Sequence, residues 1–271
     1  MNDDLARIAA ALERLAPATA EATDWAAAPA YVWTGAARPV AQLIAPPLGL
    51  LKGIDAQKVA ITQNVARLAL GHAAHDMLLW GARGMGKSAL LRAAVVAAQA
   101  KVPGQIALVQ VAPEALGTLA VLFAELGQKL RQFLVFIDDL GFEDHDSTGP
   151  RALRSWLEGG IEARPGNVRI AVTSNRRAIV PRHLSEQDDP INPRDAVDDR
   201  LALADRFGLS IGFHTCNQDD YLAIVSGYCA EYGLRWTEAE ALEWSKRRGA
   251  RSGRVAWQFV TELAGRSGKT L

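Results

Sequence analysis

Cysteine is scarce in this chain: among 271 residues only Cys216 and Cys229 carry thiols, and they are too far apart to form a Cys-x-x-Cys pair. That argues against a zinc ribbon or a dithiol redox motif and for two inert thiols in a reducing cytoplasm. Excess charge of one sign is also missing. Lys+Arg and Asp+Glu each total 30, so the formal net charge is zero and no global basic field draws the chain to nucleic acid, although local patches remain compatible with that balance. No apolar run has the length of a membrane span. The start, Met1-Asn2-Asp3-Asp4, is acidic and leads into no signal-peptide core, so a cytoplasmic protein without a membrane partner is expected.

The remaining composition is that of an ordinary soluble protein, 49% apolar and 22% charged. Its length suits one large domain or a core plus a small second domain. Residues 1–50 read as an N-terminal arm. A helical periodicity runs to Leu15, and Pro17, Pro29, Pro39, Pro46 and Pro47 then work against long regular elements. Trp25, Tyr31 and Trp33 in this arm read as aromatics that pin it to the main body, with partner binding as the second reading.

Beyond Leu50, helical and strand patterns alternate. Strands are expected at 75–80, 105–111, 133–138, 169–173 and 209–213, with helices at 55–70, 89–100, 113–132 and 150–158 between them. Strands separated by helices imply a parallel sheet covered on both faces, here over residues 51–214. From 215 to 271 only helical patterns follow, at 218–232, 237–248 and 253–264, the second opened by a Thr237/Glu240 capping box. A small all-helical domain is expected there.

The chemistry concentrates in Gly81-Ala82-Arg83-Gly84-Met85-Gly86-Lys87-Ser88, which fits G-x-x-x-x-G-K-[ST]. It lies between an apolar strand and a helix beginning with Ala89, the setting that puts backbone N–H groups around phosphates at a helix N-terminus. Lys87 is expected on the β- and γ-phosphates, and Ser88 on Mg²⁺. Such a site needs an acid at the end of a neighbouring strand. Phe133–Asp139 supplies Asp138 for the metal and Asp139 for the attacking water. Asn175 ends another strand, and its amide can donate to a phosphate oxygen while accepting from water. Arg206 precedes the last strand and is a candidate for the γ-phosphate of a neighbouring subunit; an intramolecular Arg–Asp pair is its other reading. Arg254 opens the last helix and is placed to fold over the phosphates. The basic run Lys246, Arg247, Arg248 and Arg251 reads first as a solvated face and second as a nucleic-acid contact. The acidic cluster 143–146 reads as a loop rather than a metal site.

Together and in this order these motifs resemble an AAA+ ATPase: Gly81–Ser88 as Walker A, Phe133–Asp139 as Walker B, Asn175 as sensor 1, Arg206 as arginine finger and Arg254 as sensor 2. Gly53 and Ile54 resemble the segment bordering adenine. LLWGARGMGKS, DDLGFED, TSNRR, LADRFGL and SGRVAWQFV further resemble an uncharacterised bacterial family of stand-alone AAA+ ATPases, over about residues 50 to 266. The resemblance implies an α/β, P-loop NTPase αβα sandwich with a five-stranded parallel sheet and a helical lid. It also implies ATP and Mg²⁺ as ligands, homo-oligomerisation, and ATP hydrolysis coupled to movement of a macromolecular partner. Two departures stand out. Asp139 replaces the more usual glutamate and is one methylene shorter, so slow, switch-like hydrolysis is expected. Residues 177–199 are longer than a minimal connection. Two further functions stay open: a nucleotide-gated loader with little hydrolysis, and a small-metabolite kinase.

Overall fold

The computed structural model describes residues 23–140, 164–175 and 206–271, with Leu153, Trp156 and Leu157. The expected N-terminal helix, the acidic cluster 143–146, most of the helix at 150–158 and the segment 177–199 lie outside these residues.

Seven strands form one sheet. They are β1 (Ala30–Trp33), β2 (Ala37–Val40), β3 (Met77–Gly81), β4 (Ile106–Val111), β5 (Gln132–Ile137), β6 (Val168–Ser174) and β7 (Leu209–Phe213), in the order β2-β1-β4-β5-β6-β3-β7. All neighbours are parallel except β1 and β2, which form an antiparallel hairpin. The expectation of five strands is therefore corrected to seven. The two added strands come from the proline-bearing arm. Pro39 is accommodated because β2 is an edge strand, where a missing backbone donor costs no interior ladder bond. On the other side β1 pairs in register with β4, Ala30 opposite Leu108 and Trp33 opposite Val111.

Helices α1 (Asp55–Ala69), α2 (Lys87–Lys101) and α3 (Leu119–Gly127) cover the sheet. The period of two along β5 decides which side each side chain takes. Phe133, Val135 and Ile137 pack with Leu119, Leu122, Phe123 and Leu126 of α3. Leu134 and Phe136 face the other way, onto Ile61, Val65 and Leu68 of α1 and Leu90, Leu91 and Val95 of α2. The arm is fastened into the α3 side. Trp25, Tyr31 and Trp33 are buried there; the Trp33 Nε1–H donates to Thr118 Oγ1 at 2.8 Å, and Arg131 donates to the carbonyls of Trp25 (2.7 Å), Ala28 (2.8 Å) and Ile106 (3.0 Å).

Helices α4 (Gln218–Glu231), α5 (Glu238–Arg247) and α6 (Gly253–Arg266) form a separate cluster around Tyr221, Val225, Ala256, Phe259 and Val260. Side chains cap each start: Asn217 in a capping box with Asp220, Thr237 accepting from the Glu240 N–H, and Ser252 accepting from the Val255 N–H. No described helix is long and apolar enough to cross a membrane.

Candidate functional site

The strand order sets the geometry. β6 lies between β5 and β3, so the loops leaving these three strands meet at one edge of the sheet, the carboxyl edge where parallel sheets hold ligands. Gly81 ends β3 at φ 124°, and a Cβ there would come within 2.1 Å of the Phe213 carbonyl oxygen. Only glycine allows β3 to turn so close to β7. The loop then enters α2 with Gly86 as its N-cap, and Lys87 and Ser88 lie in the first turn.

Lys87 is only 6% exposed. Its Nζ donates to the carbonyls of Gly81 and Ala82, both at 2.9 Å, and to Asn175 Oδ1 at 3.0 Å. Burial pushes the ammonium below the ordinary lysine value, opposed by the Asp139 and Asp138 carboxylates. The Asn175 Nδ2 donates to Asp139 Oδ1. Asn175 thus joins Lys87 to Asp139, a link that follows from β6 lying between β3 and β5. Ser88 Oγ donates to Asp138 Oδ1 at 2.7 Å. Asp139 has φ 52°, the one positive φ of a non-glycine residue among those described. Aspartate tolerates this left-handed backbone, yet such outliers persist only where surrounding contacts hold them.

These groups open onto a cavity of about 700 Å³. Of the residues singled out in the sequence, Gly84, Met85, Gly86, Lys87, Ser88, Ala89, Asp138, Asp139, Asn175, Ile54 and Arg254 line it. Gly81, Ala82 and Arg83 do not; the first two contribute carbonyls to Lys87. Gly53 lies off the cavity, where an added Cβ would come within 3.3 Å of Asp220 Oδ1. Arg206 is not brought to this site. β7 runs parallel to β3 with Leu209 opposite Met77 and Phe213 opposite Gly81, so Arg206 precedes the end of the strand remote from the phosphate loop. The lid meets the loop directly: the Arg254 N–H donates to the Gly84 carbonyl at 3.1 Å, and Gly84, at φ 74°, leaves room for Ser252.

Sequence reasoning missed the cavity's apolar wall. Tyr228, Tyr232 and Trp257 line it together with Ile44, Pro46, Pro47 and Leu51, the Trp257 ring centroid 5.0 Å from that of Tyr228 and 5.9 Å from that of Tyr232. The i, i+4 spacing of the two tyrosines is visible in the sequence, but their meeting with Trp257 depends on how α4 and α6 pack. Thr173 and Arg92 also line the cavity without having been singled out.

The donor set suits a nucleotide with Mg²⁺. A buried ammonium and a helix N-terminus match phosphate oxygens, while a hydroxyl and a carboxylate give the hard oxygen ligands that Mg²⁺ takes. Among the described residues the hydrogen bonds to the Asp138 carboxylate, from Ser88 and Thr173, both end on Oδ1. No grouping of three or more His, Cys, Asp or Glu that could hold a metal occurs among the described residues.

Comparison with solved structures gives the Holliday junction branch migration motor RuvB of Thermotoga maritima, with TM-score 0.54 and 16% identity over 84% of this chain and 68% of that one. The Orc1 protein of Aeropyrum pernix, solved in complex with DNA, gives TM-score 0.57 and 15% identity over 84% of this chain and 66% of that one. At these identities the likeness is one of fold: this chain has the AAA+ fold. No curated protein matches the sequence. A family model matches residues 26–267, and the chain belongs to that family, described as Protein of unknown function (DUF815).

Proposed function

We propose that this chain is a Mg²⁺-dependent ATPase that couples its nucleotide state to conformational change in a macromolecular partner. The observation that carries the reading is the connected set Lys87–Asn175–Asp139 beside Ser88–Asp138, all facing one cavity under the lid. Lys87 holds the β- and γ-phosphates, and the amides at the start of α2 hold the α- and β-phosphates. Asn175 orients the attacking water, and Asp139 accepts its proton as the new P–O bond forms and the bond to the ADP oxygen breaks. When bound, Mg²⁺ neutralises charge on the phosphate oxygens, and Ser88 and Asp138 are the residues that would hold it. Arg254 closes the lid over the phosphates. The position of Arg206 at the far sheet edge supports a homo-oligomer in which one copy's Arg206 completes the neighbouring copy's site.

The test is phosphate release from Mg-ATP against protein concentration, for wild type and Arg206→Ala. A shared site gives specific activity that rises with concentration and falls by about 10³-fold or more in the variant. Activity that is independent of concentration and equal in the two proteins refutes the shared site. ADP and free phosphate as products, rather than a phosphorylated metabolite, exclude the kinase reading.

A second reading, a nucleotide-gated loader with little intrinsic hydrolysis, is favoured by one observation. The short carboxylate of Asp139 is already engaged by Asn175. Its partner would be a protein or a nucleic acid. The basic run offers limited support for nucleic acid, since Arg247 pairs with Glu243 and the Arg248 guanidinium stacks 4.7 Å over the Trp244 ring. Substantial turnover without any partner excludes this reading.

A further inference from the structure

We infer that Thr173 is a positioning residue that holds both acids of the site in register; this deepens, and rests on, the Mg-ATPase reading. Thr173 lies in the last turn-ward stretch of β6 and is only 2% exposed. Its hydroxyl donates to Asp138 Oδ1 at 2.6 Å and accepts the Asp139 backbone N–H at 2.8 Å. Its carbonyl accepts the Leu140 N–H at 2.9 Å. One buried side chain therefore touches the metal-side carboxylate and the backbone of the proton-accepting residue at once, and its main chain secures the residue that follows.

Two consequences follow from this arrangement. Asp138 Oδ1 accepts from Ser88 and from Thr173, so both hydroxyl protons go to the same oxygen and the carboxylate's rotation is fixed, with Oδ2 left for the metal or its water. Asp139 is held at φ 52°, a backbone that an L-residue adopts only when it is retained there. The left-handed turn sends the chain out of the line of β5 and re-aims the Asp139 carboxylate, which Asn175 then grips. Thr173 supplies the hydrogen bond that retains this turn. An aspartate, too short for the reach of a glutamate, is thereby given a fixed place instead of added length.

The experiment uses the full chain with Thr173→Val, Thr173→Ala and Thr173→Ser. Three quantities are read: the ligand-free melting temperature, binding of a fluorescent ATP analogue in EDTA and in Mg²⁺, and kcat. Loss of the hydroxyl in Val and Ala leaves metal-free binding unchanged, while the Mg²⁺-dependent gain in affinity and kcat fall by about 10- to 100-fold, the range typical of residues that orient metal ligands. Thr173→Ser, which keeps the hydroxyl, retains both. Either of Val and Ala suffices should the other fail to fold, and metal-free binding reports folding. A merely structural role predicts instead that melting temperature, metal-free binding and turnover decline together, and that result overturns the inference. Val and Ala variants with wild-type Mg²⁺ response and turnover overturn it as well. A wild-type protein that binds no nucleotide overturns the ATPase reading beneath it, and is distinguishable because no variant is needed to see it.

Discussion

Replacing Lys87 with methionine separates a residue kept for binding from one kept for folding. In the ligand-free protein Lys87 is 6% exposed, and burial is the largest influence on its ammonium, pulling its pKa down. Methionine fills a comparable, flexible volume and carries no charge. The substitution removes three hydrogen bonds, to Gly81, Ala82 and Asn175, each worth about 1.5 kcal/mol for a charged donor. It also removes the cost of burying an ion, which is several kcal/mol. The two nearly cancel, so ligand-free stability should change by no more than about 1 kcal/mol. Nucleotide binding has no such offset. Two charged hydrogen bonds to phosphate oxygens at about 1.5–3 kcal/mol each amount to about 3–6 kcal/mol, or at least a 100-fold loss of affinity. The pH dependence has a definite sign. A lysine whose folded pKa is depressed binds protons less readily folded than unfolded, so wild type should gain stability relative to Lys87→Met as pH rises through the folded value toward the ordinary lysine value. Urea denaturation and titration of the fluorescent ATP analogue on the same preparations supply the measurements. Wild-type affinity in the variant, or a loss of several kcal/mol of ligand-free stability, would refute the reasoning.

Two other predictions concern parts of the molecule away from Lys87. Arg131→Met strands the carbonyls of Trp25, Ala28 and Ile106; three charge-assisted bonds at about 1.5 kcal/mol each, partly offset by the removed cost of desolvating the guanidinium, give a loss of about 3 kcal/mol in urea denaturation; an unchanged midpoint would mean that the arm is held by its aromatics alone. Trp257→Ala should weaken binding of the ATP analogue by about 5- to 150-fold, the range for one lost base–aromatic stack of about 1–3 kcal/mol, while inhibition by inorganic tripolyphosphate stays the same. Equal losses for both ligands would place Trp257 outside the base compartment.

The elements that announced themselves in the sequence are those whose signals are local. β7 lies at the residues its apolar run marked, and α1 differs from its pattern by one residue at its end. The loop Gly81–Ser88 was legible as a motif because glycine, lysine and serine at fixed spacing belong to one short segment. β1 and β2 were not legible. Four-residue strands among prolines carry no strong periodicity; β1 is a strand through its neighbour β4, far along the chain, and β2 pairs only with β1. The same holds within the site. Asn175, Asp138 and Asp139 stand at strand ends and could be nominated, whereas the bond from Asn175 to Lys87 depends on β6 lying between β3 and β5. Thr173 carried no motif of its own, and the left-handed backbone of Asp139 is invisible in residue type.

The placement of Asn175 has a further consequence. Its two amide atoms are committed in opposite senses, the oxygen to a cation and the nitrogen to a carboxylate. Under the ATPase reading, an anion that draws Lys87 away takes from that oxygen its protein donor, while the amide N–H still faces Asp139. The side chain therefore behaves like a latch shared by two doors: what occupies the lysine changes one side of the amide that holds the carboxylate.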